Sequence, residues 1–189
     1  MVAGSSNDTY VSLEFTPNPN TLKYMVNREL VRRNANFTTA VEAQAKSPLA
    51  AKLFAVPGIV GVMIGRNFVT VSKSEDGDWD TVHQNTSKTI EQHLAANLPV
   101  LNEGVDQERD ASADSEIERK IRQILDDEIR PAVAMDGGDI VFDSYEDGIV
   151  YLHLQGACAG CPGAQMTLKM GVENRLREAI PEVIEVVSV

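Results

Sequence analysis

At 189 residues the chain is long enough for one large domain or two small ones. Apolar residues make up 43% and charged residues 24%, and no stretch approaches the ~20 consecutive apolar residues of a membrane-spanning helix, which predicts no membrane partner. Residues 1–100 hold 9 basic and 9 acidic side chains while 101–189 hold 8 and 19, so the whole net charge of −11 lies in the second half. Two units of separate origin are therefore expected, and the lack of basic clusters argues against nucleic acid as a partner.

The opening Met1-Val2-Ala3-Gly4-Ser5-Ser6-Asn7-Asp8 has no basic n-region, no apolar h-region and no Arg-rich amphipathic presequence. The expected location is cytoplasmic, or the mitochondrial matrix if a presequence has been removed. Val11, Leu13 and Phe15 alternate with polar residues as in a half-buried strand. Thr16-Pro17-Asn18-Pro19-Asn20 breaks that strand, and Leu22 to Val26 forms a second. Ser47-Pro48 reads as an N-cap with proline at the first helical position, opening a short helix through Phe54 that Pro57-Gly58 stops. Ile59–Ile64 and Phe68–Ser72 flank Gly65-Arg66-Asn67 as a hairpin, with Met63, Ile64, Phe68 and Val71 taken as core. From Asp80 to Leu98 the apolar spacing is helical, and Pro99 follows. The first unit is expected to be β-β-α-β-β-α over residues 1–99.

Residues 100–114 are expected to be an acidic linker. From 102 to 114 there are five acids, one base and one large apolar side chain, too little to bury. Ser115-x-x-Glu118 is a capping box, and Ile117, Ile121, Ile124 and Leu125 form the apolar face of the helix it opens. That helix is expected to end or kink at Arg130-Pro131. Met135-Asp136-Gly137-Gly138-Asp139 reads as a turn into a strand at 140–145, and Asp147-Gly148 turns the chain back into a strand at 149–154. After a cysteine loop, Ala164, Leu168, Val172 and Leu176 share a helix face, Pro181 ends that helix, and 183–187 makes a last strand. The second unit, 115–189, is thus α-β-β-α-β, and the fold class is α+β with two small domains.

The chemistry concentrates in Gly156-Ala157-Cys158-Ala159-Gly160-Cys161-Pro162-Gly163, between a strand and a helix. Pro162 suits the first helical position, which puts both sulfurs beside unpaired backbone N–H groups and the positive end of the helix dipole. Such a setting stabilises thiolates and anions. Three chemistries fit two cysteines at this spacing. A zinc site needs four ligands; of the three histidines only His153 is near in sequence, alternation points it away from the core, and His83 and His93 lie ten apart. A thioredoxin-type dithiol normally follows a βαβ pattern, with an aromatic before the first cysteine and proline between the two; here the pair is flanked and separated by Ala and Gly after a hairpin. An iron–sulfur cluster takes four thiolates, so two chains would have to meet at this loop.

The run Arg130-Pro131, Asp136-Gly137-Gly138-Asp139 and Gly156-x-Cys158-x-Gly160-Cys161-Pro162 resembles the C-terminal domain of NifU-like (Nfu-type) iron–sulfur scaffold proteins. Thr16-Pro17-Asn18-Pro19-Asn20-Thr21-Leu22-Lys23, with Leu53-Phe54, Gly58-Ile59 and Gly61-Val62, resembles the N-terminal domain found in many of them. The resemblance implies a carrier or scaffold that is not an enzyme, with Cys158 and Cys161 as cofactor and metal ligands of a 4Fe–4S cluster bridging a homodimer. It further implies upstream assembly machinery that supplies the iron and sulfide, and apo iron–sulfur client proteins that accept the product. The reading that competes with it is a thiol–disulfide oxidoreductase using the same pair. Gly137 and Gly138 are read as giving backbone freedom to a tight helix-to-strand turn.

Overall fold

A computed structural model describes residues 9–105, 113–160 and 162–189, with the backbone alone for Pro162 and Ala164. The chain divides into two compact units, Met1–Phe15 with Asn20–Gln107, and Thr16–Pro19 with Glu108–Val189. The α+β class with two domains is borne out.

The first unit is built on a five-stranded antiparallel sheet. Its strands are β1 (Val11–Phe15), β2 (Thr21–Val26), β3 (Ala35–Phe37), β4 (Ile59–Ile64) and β5 (Phe68–Lys73), in the order β1-β2-β5-β4-β3. Tyr24, Val62, Ile64, Val69 and Val71 from the sheet pack with Ala43, Leu49, Leu53, Val82, Ile90 and Leu94 from the helices. Met63 and Phe68 are buried with Ile64 and Val71, as the sequence predicts. Helix α2 (Pro48–Phe54) starts as expected: the Ser47 hydroxyl accepts from Ala50 N and Pro48 occupies the first turn.

Two elements escape the sequence pattern. They are β3 and α1 (Ala40–Lys46), so the order is β-β-β-α-α-β-β-α rather than β-β-α-β-β-α. A three-residue strand has no visible alternation, and α1 buries only Ala43, so neither shows a hydrophobic period. Helix α3 (Trp79–Ala95) stops before Leu98, because Asn97 turns into the left-handed region at φ 52°. Ordered packing nevertheless runs past Pro99. Val100 and Leu101 lie against the core, and Asn102 donates from its backbone N to Lys46 O and from Nδ2 to Ala45 O. Residues 106–112 of the expected linker lie outside the described residues.

In the second unit the predicted capping box is present. Ser115 Oγ accepts from Glu118 N at 3.2 Å, and Glu118 Oε2 accepts from Ser115 N at 2.7 Å. Helix α4 (Glu116–Ile124) runs into a π turn (Leu125–Ile129) and then α5 (Arg130–Met135). The helix therefore does not end at Arg130-Pro131. Arg130 N–H reaches five residues back to Leu125 O, and the widened turn takes in a proline that has no N–H of its own.

Strands β6 (Gly138–Glu146), β7 (Ile149–Gly156) and β8 (Glu185–Ser188) form a sheet in that order. The pair β6–β7 is antiparallel and β7–β8 parallel, the latter connected through α6 (Pro162–Ala179). Ile121, Leu125, Ile140, Phe142, Leu152, Val172 and Leu176 are central to its core. The guanidinium of Arg175 holds Glu128 with two hydrogen bonds of 2.6 and 2.8 Å, tying α6 to the π turn.

Candidate metal centre

The β6–β7 register pairs Gly138 with Gly156, so the Asp-Gly-Gly-Asp run and the cysteine loop leave the hairpin at the same end. Ala157 N donates across to Gly137 O at 3.1 Å. Cys158 N then donates to Gln155 O at 3.3 Å and Ala159 N to Gly156 O at 3.1 Å, a tight turn that folds the first cysteine inward. Cys158 and Ala157 are buried, whereas Ala159 and Gly160 are exposed.

The seat of Cys158 is Gly138. A Cβ added there would collide with Cys158 Sγ and lie 3.1 Å from its Cβ and 3.2 Å from its backbone N. The two glycines thus do different things. Gly137 has φ +76° and makes the predicted helix-to-strand turn. Gly138 clears the space the thiol occupies, a role sequence reading did not find. Its only sequence signal is a second glycine at the strand end that the register sets beside the loop.

The two flanking members of the C-terminal motif brace this turn. Asp139 is buried, and its carboxylate accepts from Arg130 Nε at 2.8 Å and Arg130 Nη2 at 2.9 Å, and from Ile140 N at 2.9 Å. Hydrogen bonding to Asp139 is the chief reason the Arg130 guanidinium holds its proton more tightly than usual, against the opposing effect of burial. A bidentate, charge-assisted pair of this kind fixes α5 against the first residues of β6.

Cys161 lies outside the described residues, so only Cys158 is placed. Helix α6 begins at Pro162, which agrees with the expected helix start beside the second cysteine. From Gly156 to Gly163 the sequence holds no charged side chain and, cysteines and proline aside, nothing larger than a methyl group. Gly160 has φ +79°, and a Cβ there would meet nothing within 4 Å. Soft thiolate donors on an open, small-residue loop suit iron–sulfur chemistry. Among the described residues no group of three His, Cys, Asp or Glu is placed to hold a metal ion, so no complete ligand set is found there.

Each of the three histidines has a hydrogen-bond partner of its own. The imidazole of His153, 46% exposed, bonds Asp143 Oδ1 at 3.2 Å and Val189 O at 3.0 Å. In the first unit His83 bonds Tyr24 Oη at 3.2 Å, and His93 bonds Pro99 O at 3.0 Å. The exposed placement of His153 agrees with the sequence reading of that side chain.

Family models match both halves of the chain: a NifU-like domain over residues 121–187 and the N-terminal domain of scaffold protein Nfu/NifU over 11–97. A human protein named NFU1 iron–sulfur cluster scaffold homolog, mitochondrial, is 39% identical over 177 residues, covering 92% of this chain and 69% of its own length. The chain belongs to the Nfu/NifU scaffold family. A Drosophila grimshawi protein of the same name is 40% identical over 185 residues, covering 95% of this chain and 61% of its own length. The family member described here thus spans roughly two thirds of these relatives. The solution structure of a NifU-like protein from Saccharomyces cerevisiae is 23% identical, covers 55% of this chain and 92% of its own, and superposes with a TM-score of 0.47. No helix among the described residues is long and apolar enough to cross a membrane.

Proposed function

We propose that this chain carries a 4Fe–4S cluster between two copies of itself and hands it to apo-proteins, without catalysing a reaction of its own. The observation that carries the reading is the donor set. The chain has two cysteines in all, three positions apart, and the first is seated beside Gly138 in a loop of small residues. A cube takes four thiolates, so Cys158 and Cys161 of each copy supply half, and an approximately two-fold arrangement lets both halves be the same loop. The names of the human and fly relatives support the scaffold role and favour a mitochondrial location over the cytoplasm.

The chemistry asked of the chain is modest. The thiolates hold the cluster, and the N-terminus of α6 offsets part of the negative charge of a thiolate-ligated cube. Exposed Ala159 and Gly160 leave the loop open to the thiolates of a client. Those displace Cys158 and Cys161 one for one, so the iron ligand count is kept throughout the hand-over. The iron and sulfide themselves come from upstream assembly machinery.

Anaerobic reconstitution with iron and sulfide tests this directly. Broad brown absorption is expected, with about two irons and two acid-labile sulfides per chain. Both should be lost in Cys158→Ser and in Cys161→Ser. Full cluster content in the two variants overturns the proposal. Insulin reduction by the metal-free chain well above the rate of free dithiothreitol would instead make the pair a redox dithiol.

A further inference from the structure

We infer that the outward face of the first three turns of α6 is the protein part of the contact between the two copies that share a cluster. The inference rests on the shared-cluster reading above. Met166 and Met170 lie four apart on this helix and are 68% and 60% exposed. The core of the unit takes its α6 contacts from Leu168, Val172 and Leu176 instead, so the two methionines have no part in it. They are large apolar side chains held in water.

The charged groups beside them are opposite in sign and paired: Lys169 with Glu185 at 3.6 Å and Glu173 with Arg177 at 3.4 Å. The fully exposed positions from the start of the helix are Gly163, Met166, Thr167, Met170, Gly171 and Asn174, with Lys169 and Glu173 half-buried between them. This tract, with one Lys and one Glu from 163 to 174, has no net charge, on the half of the chain that carries the entire net charge of −11. It is also low. A Cβ on Gly163 or Gly171 would meet nothing within 4 Å, so no packing around either one calls for glycine, although glycine inside a helix costs backbone entropy. Thr167 turns its hydroxyl back to Gly163 O at 3.1 Å, which satisfies the polar end of that side chain within the helix.

A second copy is the occupant this face fits. The tract starts two residues after Cys161, and half the ligands of a cube must come from another chain, which therefore has to approach this end of α6. In an isologous contact the same patch meets itself. Acidic surface would repel its own copy; a methionine patch with no net charge does not, and methionine adapts its shape to an identical neighbour. The patch is far smaller than the ~1,200 Å² of a stable interface, so it reinforces the cluster-bridged pair rather than assembling the cluster-free chain.

The test uses the full chain with Met166→Lys and Met170→Lys combined, against Met166→Leu and Met170→Leu. Thermal melting of the cluster-free proteins checks that the fold is retained. After reconstitution, sedimentation across a dilution series should show the lysine variant dissociating at a concentration at least about tenfold above wild type, and its brown absorption should decay faster on dilution. The leucine variant should match wild type. A lysine variant whose loaded dimer is as tight as wild type overturns the inference. So does an unaltered dimer with slowed transfer to an apo-ferredoxin of the 4Fe–4S kind, which would make the face a client surface. If wild type takes up no cluster, the shared-cluster reading fails first, and this inference falls with it.

Discussion

Cys158 is positioned by a residue with no side chain, which makes Gly138 the sharpest single test of the site. Gly138→Ala forces the thiol to move, because the new methyl collides with Sγ and crowds the Cys158 backbone N as well. Overpacking of this kind costs about 1–3 kcal/mol. Reconstituted Gly138→Ala should hold several-fold less iron and sulfide and melt a few degrees lower. Gly171→Ala serves as the contrast, since its methyl meets nothing within 4 Å, and the cluster-free chain should gain about 0.5–1 kcal/mol in denaturant titration. His93 gives a second residue-scale expectation. Its Nε2 donates to Pro99 O, its buried Nδ1 has no partner among the described groups, and burial pulls its pKa below the usual 6.5. The unfolded chain therefore takes up a proton that the folded one resists. The first unit should lose stability as pH falls below about 6.5 toward the depressed folded value, with the loss removed in His93→Asn. Urea midpoints at several pH values measure it.

At the scale of elements, α5 and β6 together support the cysteine loop. Gly137 O receives Ala157 N, Gly138 seats Cys158, and the next residue, Asp139, is clamped by Arg130 from α5. Arg130→Ala leaves a buried carboxylate with Ile140 N–H as its remaining donor in this set, at a cost of about 3 kcal/mol. Denaturant titration should find that loss in the second unit, and cluster content should fall with it. Asp139→Asn should cost less, because it removes the charge along with part of the hydrogen bonding. An unchanged second unit in Arg130→Ala would show that the pair is ornamental. The π turn matters here because it lets the helix pass through Pro131 and bring Arg130 round to Asp139. A proline read by its usual rule ends or kinks a helix, and here the chain runs on through a π turn into α5 rather than ending.

For the whole molecule, charge sets the terms of association. The half that carries the cysteines also carries the net −11, so two copies repel each other wherever their acidic surfaces approach. The cluster-free chain should sediment as a monomer and the loaded one as a dimer. Raising salt from about 0.05 to about 0.3 M shortens the reach of that repulsion and should tighten the loaded dimer. A dimer that weakens with salt would mean opposite charges hold it. A stable dimer of cluster-free Cys158→Ser would mean the protein surface alone suffices.

The sequence by itself determined the two-unit α+β plan, most of the strands and helices, the capping box, and the cysteine pair with its family. The two units show in the charge asymmetry and the family in the resemblance of its motifs, while the elements and the cysteine pair depend on local spacing: alternation in Val11–Phe15, the four-residue repeat of Leu168, Val172 and Leu176, Ser115 three before Glu118, and Cys158 three before Cys161. Elements with almost no apolar period, β3 and α1, left no such trace, since a three-residue strand and a helix burying one alanine are held by their neighbours. The tertiary structure decided what Gly138 is for, how Arg130 reaches Asp139, and that Met166 and Met170 stay outside the core. Those facts belong to the β6–β7 register, to the turn that carries the chain through Pro131, and to which face of α6 the sheet covers. Residue types state what a side chain can do; the residues brought beside it state what it does.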